Sequence, residues 1–142
     1  MKLELFINFD GNCREAMKFY AKVFKSEVKN LMTFEQAPPH PDYPLKEADR
    51  HKVMYADVEI GGLTVMFMDM PTGSPLVVGN NITPTVSMCD KAEVERIFNE
   101  LKVGGKVYME LQQAFFSELY GMVEDKYRII WQILYYDSDV CH

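Results

Sequence analysis

The chain has 142 residues, of which 48% are hydrophobic, 13% are aromatic and 25% are charged, and its formal net charge at pH 7 is −6. This length allows one good hydrophobic core or two small modules that share a core, and this composition excludes an intrinsically disordered chain. The acidity argues against a nucleic acid or an anionic membrane as a partner, because both attract proteins through concentrated Lys and Arg.

Nothing in the sequence predicts a segment that enters or crosses a membrane. No apolar run approaches the length that spans a bilayer. Residues 1–4 lead directly into a predicted strand rather than into a signal peptide. We therefore expect a cytoplasmic protein.

The first half of the chain predicts one helix and four strands. In chain order these are a strand at 2–9, a helix at 12–24, and strands at 27–36, 52–60 and 63–69. Prolines exclude regular structure from the loop at 37–50, because proline lacks the N–H donor. Gly61 and Gly62 mark a tight hairpin between the last two strands.

The second half repeats this order after a linker at 71–81 that is rich in Pro and Gly. It predicts a strand at 82–88, a helix at 90–101, and strands at 105–113, 117–124 and 127–135. We therefore predict a first module at 1–70 and a second module at 82–142, which together form one structural domain.

The two predicted helices begin with the same local signal. Asn12 and Asp90 are N-cap residues, and each is followed three residues later by a Glu, Glu15 or Glu93, that can accept a hydrogen bond from the N–H of the cap residue. An apolar stripe at i, i+3, i+4 and i+7 follows each cap. Two such helices at matching positions indicate an internal duplication of a βαβββ module.

A βαβββ module has a helix on one face of its sheet and leaves the other face open. Strand alternation directs Leu5, Ile7 and Phe9 toward the first helix, so the residues between them point the opposite way. The residues predicted on the open faces of the first strands are Glu4, Phe6 and Asn8, and Thr83, Thr85 and Ser87. The fold class is α+β, and the two modules are expected to form a curved mixed sheet with a concave cleft that binds a ligand.

Three segments resemble the vicinal oxygen chelate superfamily, which includes glyoxalase I, bleomycin-resistance proteins, fosfomycin-resistance enzymes and extradiol dioxygenases. They are NFDGNCREA at 8–16, MFMDMP at 66–71, and the C-terminal region from Phe115 to Ile133. Within the superfamily the chain is most similar to the PhnB-like branch, whose members are often labelled 3-demethylubiquinone methyltransferases. The sequence lacks a glycine-rich strand-to-helix turn that would hold S-adenosylmethionine.

The resemblance implies four positions for metal ligands, and in this chain they are Glu4, Met66, Thr83 and Gln132. A divalent ion needs at least three N or O ligands. Only Glu4 is a good hard ligand, because Gln132 is a weak oxygen donor and Met66 is a soft thioether. The histidines lie elsewhere, at His40, His51 and His142. We therefore expect neither a metal nor another cofactor.

The predicted cleft mixes apolar and polar side chains, which suits a flat apolar molecule held by a few polar contacts. Its lining is Glu4, Phe6, Asn8, Met66, Met68, Thr83, Thr85, Glu118, Tyr120 and Gln132. The hypothesis is a metal-free small-molecule-binding protein of glyoxalase/bleomycin-resistance type, with no assigned reaction. The alternative is a divalent-metal-dependent lyase, isomerase or dioxygenase, and a third reading is a structural or regulatory dimer without a ligand.

Several of these residues also have a plainer interpretation. Glu4 could pair with a Lys at the end of its strand, and Glu118 could be exposed on a hairpin. Met66 and Met68 could be core residues, and Tyr120 could form a hydrogen bond within the sheet.

The resemblance also implies a homodimer. Apolar residues at 76–78 and at 133–136 could form its interface. Arg128 replaces a turn glycine that close relatives carry, which predicts a different backbone conformation or a longer turn there.

Overall fold

The computed structural model describes residues 1–137, so the end of the predicted second module, with His142, lies outside the described residues. The chain divides into two compact units, Met1–Val77 and a second unit that begins at Val78. This division falls inside the predicted 71–81 linker. No helix within residues 1–137 is long and apolar enough to cross a bilayer.

The first unit contains one helix on a four-stranded mixed sheet. Its elements are β1 (Leu5–Phe9), α1 (Cys13–Val23), β2 (Val28–Thr33), a short 3₁₀ helix (Glu47–Asp49), β3 (Val53–Ile60) and β4 (Leu63–Asp69). The strand order is β1-β4-β3-β2. β1 and β4 run parallel, whereas the other neighbours are antiparallel. The first and last strands of the unit therefore lie side by side.

The second unit repeats this topology. Its elements are β5 (Thr85–Met88), α2 (Lys91–Leu101), β6 (Lys106–Ala114), β7 (Ser117–Glu124) and β8 (Ile130–Tyr135). The strand order is β5-β8-β7-β6, with β5 and β8 parallel. The predicted α+β fold built from tandem βαβββ modules is confirmed.

Each helix buries its apolar stripe against the sheet of its own unit. In the first unit the centroid of the Phe67 ring lies 5.8 Å from that of the Tyr20 ring and 5.9 Å from that of the Phe9 ring. In the second unit Phe98 of α2 and Ile133 of β8 are buried. Because Ile133 is part of this core, it is not available for the dimer interface suggested by the sequence.

The two helix starts are stabilised in different ways. Asp90 caps α2 as predicted, since its carboxylate accepts the N–H of Ala92 at 2.9 Å. Asn12 is the N-cap residue of α1 as predicted, but its side chain makes no capping hydrogen bond. Instead Asp69, at the end of β4, accepts the N–H of Cys13 at 2.9 Å and the N–H of Val53 at 3.0 Å. One buried carboxylate thus joins α1, β3 and β4.

The β7–β8 turn is organised by Asp125, which accepts the N–H of Tyr127 at 2.8 Å and the indole N–H of Trp131 at 2.8 Å. Arg128 has a φ of 71°, in the left-handed region that favours glycine. The turn therefore accommodates a bulky residue in a glycine-like conformation.

Candidate functional site

The open face of each sheet, defined as the face opposite its helix, carries most of the predicted site residues. In β1, Ile7 and Phe9 are buried, whereas Asn8 and Phe6 are exposed, Phe6 to 41%. The parallel register pairs Phe6 with Met66 and Asn8 with Met68. The first sheet thus brings four predicted side chains together as a mostly apolar surface with one amide.

Glu4 lies immediately before β1 and is held by a cation. Its carboxylate lies 2.6 Å from the Lys2 ammonium. The same ammonium also donates to the Thr64 hydroxyl of β4 at 3.5 Å. Glu4 is therefore a paired carboxylate at one end of the first sheet.

The same open face carries a polar group that was not among the predicted site residues. Asp57 of β3 is only 6% exposed, and it lies beside Met66 in the strand register. Its Oδ2 accepts the Asn30 amide N–H at 2.8 Å and the Tyr55 hydroxyl at 3.0 Å. The alternation of β3 could have placed Tyr55 and Asp57 on this face, but nothing local indicates that Asn30 has a φ of 58°.

The surroundings of Tyr55 change the pKa of its hydroxyl. Burial, the hydrogen bond to Asp57 and the nearby charges of Asp57 and Glu4 raise the pKa of Tyr55 above its usual value. Tyr55 therefore stays a neutral hydrogen-bond donor at physiological pH.

On the second sheet, three predicted residues form a chain of hydrogen bonds. The Tyr120 hydroxyl donates to Oε1 of Gln132 at 2.6 Å, and Nε2 of Gln132 donates to the Thr83 hydroxyl at 2.8 Å. Thr85 pairs with Gln132 in the register and is exposed. Since both polar ends of the Gln132 amide are engaged, its orientation is fixed.

Glu118 makes a different contact from the others. It was predicted to share a space with Tyr120, but its carboxylate forms an ion pair with Lys91 at the start of α2, and both side chains are largely exposed. The aromatic neighbour of Tyr120 is instead Phe116. The two ring centroids are 4.9 Å apart, in an edge-to-face arrangement. A cavity of about 300 Å³ lies between the β6–β7 hairpin and residues 135–137.

The side chains at the four implied ligand positions do not fit a hard divalent ion. In the first unit Glu4 is paired with Lys2, and Met66 offers only a thioether. In the second unit Gln132 and Thr83 are hydrogen-bonded to each other. Within residues 1–137, no three His, Cys, Asp or Glu side chains are grouped so that they could hold a metal.

Two βαβββ units, each with its first and last strands parallel, define the glyoxalase/bleomycin-resistance-like fold of the vicinal oxygen chelate superfamily. FosX, a fosfomycin resistance protein from Listeria monocytogenes solved with Mn(II) and sulfate, has this fold: the TM-score is 0.63 at 11% identity, covering 98% of this chain and 94% of FosX. At that identity the likeness concerns the fold alone.

A family model described as 3-demethylubiquinone-9 3-methyltransferase matches residues 1–134, and the chain belongs to this family. It is 26% identical over 140 residues to protein YjdN of Escherichia coli, covering 94% of each chain. Protein PA1353 of Pseudomonas aeruginosa matches with a TM-score of 0.85 and 26% identity, covering 97% of this chain and 99% of that one. A PhnB protein of Bacillus cereus matches with a TM-score of 0.78 and 24% identity, covering 96% and 100%. The resemblance to the PhnB-like branch is confirmed.

Proposed function

We propose that this chain is a small-molecule-binding protein of glyoxalase/bleomycin-resistance type, and that it binds an organic ligand on its open sheet faces without a metal. One observation supports this most strongly. The positions that the superfamily resemblance assigns to metal ligands carry a paired carboxylate, a thioether, and an amide and a hydroxyl bonded to each other. These groups can contact an organic molecule, but they offer few oxygens for a hard ion.

The proposal gives the predicted residues different roles. Phe6, Met66 and Met68 supply adaptable apolar contact, since thioethers are polarizable and aromatic rings are flat. Asn8 adds a polar contact on the same face. Glu4, at the end of that sheet, adds a second polar contact.

On the second sheet, the chain formed by Thr83, Gln132 and Tyr120 orients the ligand through fixed polar groups. Thr85, which lies opposite Gln132 in the strand register, adds an exposed hydroxyl. Of the predicted residues, Glu118 contributes least to ligand binding, because its carboxylate is already paired with Lys91. The homodimer implied by the resemblance remains part of the proposal, with the exposed Val77 as its predicted contact surface.

The test is a binding screen on metal-stripped protein. Flat aromatic and amphipathic compounds are screened by thermal shift in EDTA, and hits are measured by calorimetry. We expect Phe6→Ala to weaken a hit by about tenfold, a loss of about 1.4 kcal/mol. Tyr43→Ala removes an exposed aromatic residue from the 37–50 loop and is the matched control, which should bind normally.

The same protein is titrated with Mn, Zn, Ni and Fe(II). Stoichiometric metal that is lost in Glu4→Ala would contradict the metal-free proposal and favour the lyase, isomerase or dioxygenase alternative. Compounds that bind equally to the wild type and to Phe6→Ala would contradict the proposed surface.

A further inference from the structure

The group formed by Asp57, Tyr55 and Asn30 has a carboxylate oxygen that the protein leaves unused. Oδ2 of Asp57 accepts both hydrogen bonds of the group. Oδ1 accepts none from any residue in the described range 1–137. Within that range, every side-chain N or O atom that is fully shielded from solvent has a hydrogen-bond partner. Oδ1 is therefore not fully shielded from solvent, although the residue as a whole is more than nine-tenths buried.

Asp57 is not paired with a cation at ion-pair distance in the described part of the chain, although its charge reaches the Lys2 ammonium. Lys29 lies opposite it in the β2–β3 register, but the Lys29 ammonium pairs with Glu27 at 3.6 Å. Lys2 pairs with Glu4. In the part of the chain that the structure describes, no Lys or Arg forms an ion pair with Asp57.

The surrounding field is negative. The pKa of Lys2 is raised above its usual value, first by its hydrogen bond and charge interaction with Glu4, and further by the charges of Glu59 and Asp57. Three carboxylates thus act on one ammonium group. A solute carrying a positive charge is favoured on this face over a neutral or negative one.

The neighbouring surface is apolar. Met66 lies directly beside Asp57 on one side and beside Phe6 on the other. Aromatic and thioether side chains accommodate a flat apolar body, and the Phe6 ring face can also attract a cation. A buried carboxylate bordered by such a surface complements a ligand that joins a cationic group to an apolar body.

We propose that the open face of the first sheet selects organic cations, with the ammonium group on Oδ1 of Asp57 and the apolar body over Phe6 and Met66. This inference rests on the proposed function and names the class of ligand. Asn30 and Tyr55 are positioning residues, because they donate to Oδ2 and leave Oδ1 without a donor from the protein.

The test compares three probes of similar shape and different charge. They are 2-phenylethylammonium, 2-phenylethanol and 3-phenylpropionate, titrated at low ionic strength and followed by amide and methyl NMR. We expect the ammonium probe to bind about tenfold or more tightly than the alcohol, and the carboxylate probe to bind most weakly. Shifts are expected in β1, β3 and β4.

Asp57→Asn removes the charge and keeps an acceptor for Tyr55 and Asn30. We expect it to abolish the preference for the ammonium probe and to leave the affinity for the alcohol unchanged. Glu59→Gln is the matched control on the same strand, since Glu59 is exposed and bonded to Thr64, and it should keep most of the preference. If Asp57→Asn does not fold, Tyr55→Phe should still weaken the ammonium probe more than the alcohol.

Equal binding of the ammonium and the alcohol would overturn this inference and leave the proposed function standing. Retention of the preference in Asp57→Asn would overturn it as well. If no probe perturbs the open face while the compound screen also yields no ligand, both the inference and the proposed function fail.

Discussion

Buried carboxylates determine how the connecting segments are held in this protein. Asp69 accepts backbone N–H groups from two separate segments, at Cys13 and Val53, and Asp125 accepts those of Tyr127 and Ile129 within its own turn. Asp49 holds the end of the first unit, where it accepts the Thr72 N–H at 3.0 Å and the Thr72 hydroxyl at 2.7 Å. Such a carboxylate fixes a loop against a strand end without contributing to the apolar core.

The stability contributed by Asp49 should depend on pH. Burial alone would raise the pKa of Asp49, but the hydrogen bonds from Thr72 and the ion pair with Lys52 outweigh it and lower the pKa below the usual 3.8. The stabilisation is therefore present above about pH 3.8 and is lost as the pH falls through the lower folded-state value.

We expect Asp49→Asn to lower the free energy of unfolding by about 1–3 kcal/mol at pH 7, because a charged acceptor in a buried network is lost. The difference from wild type should shrink below about pH 3.8, as measured by urea unfolding at several pH values. Asp42→Asn, at an exposed position in the same loop, should be neutral. A pH-independent loss in Asp49→Asn would show that packing, not charge, explains it.

At the scale of secondary-structure elements, the approach of α2 to its sheet depends on one glycine. A Cβ atom at Gly121 of β7 would lie 2.9 Å from the Phe98 ring of α2 and 2.9 Å from a methyl group of Leu111. It would also lie 3.2 Å from the carbonyl oxygen of Met109, which belongs to the backbone and cannot rotate away. The missing side chain therefore lets the helix and β6 both pack closely on β7.

Gly121→Ala should lower the free energy of unfolding by about 1–3 kcal/mol, because an added methyl group overpacks a close-packed interface. Gly79→Ala provides the control, since its Cβ would meet only the Asn81 side chain at 3.4 Å, and it should change stability by less than about 0.5 kcal/mol. Denaturant unfolding of both variants gives the comparison. If Gly121→Ala and Gly79→Ala were equally stable, α2 could shift away from β7 without a loss of free energy of unfolding.

For the whole molecule, the order and type of the elements were predictable from the sequence, because they depend on local periodicity. The first residue of each strand was less predictable. The predicted strands at 2–9 and 82–88 begin at Leu5 and Thr85 in the structure, because alternation continues into residues that lack a paired neighbour.

The features that could not be predicted from the sequence depend on residues that are far apart along the chain. Asp69 is far from Cys13 in sequence, so its role in place of an Asn12 cap could not be read locally. The group around Asp57 needs Asn30 in a left-handed conformation on another strand. Gln132, by contrast, was predicted from the resemblance as a site position; that stays a prediction, and the structure shows its two hydrogen bonds.

Since each unit has its own helix and its own core, damage to one core should remain local. Phe67→Ala removes a fully buried ring that contacts Tyr20 and Phe9, and we expect a loss of about 3–5 kcal/mol in the first unit. Amide hydrogen exchange should show reduced protection in α1, β1, β3 and β4 and unchanged protection in β7 and β8. Leu45→Ala, at an exposed position in the 37–50 loop, is the control. Parallel loss of protection in both sheets would show that the units unfold together.

The side-by-side placement of β1 and β4 also bears on how the protein is made. The strand that completes the first sheet is the last one of its unit to leave the ribosome, so β1 waits for Leu63–Asp69 before its inner edge is paired. Until then the nascent chain exposes an unpaired strand edge beside an amphipathic helix, a state prone to association with other chains. The first sheet is thus completed only after β4 has been synthesised, and a ribosome that pauses before that point would prolong the exposure of this edge.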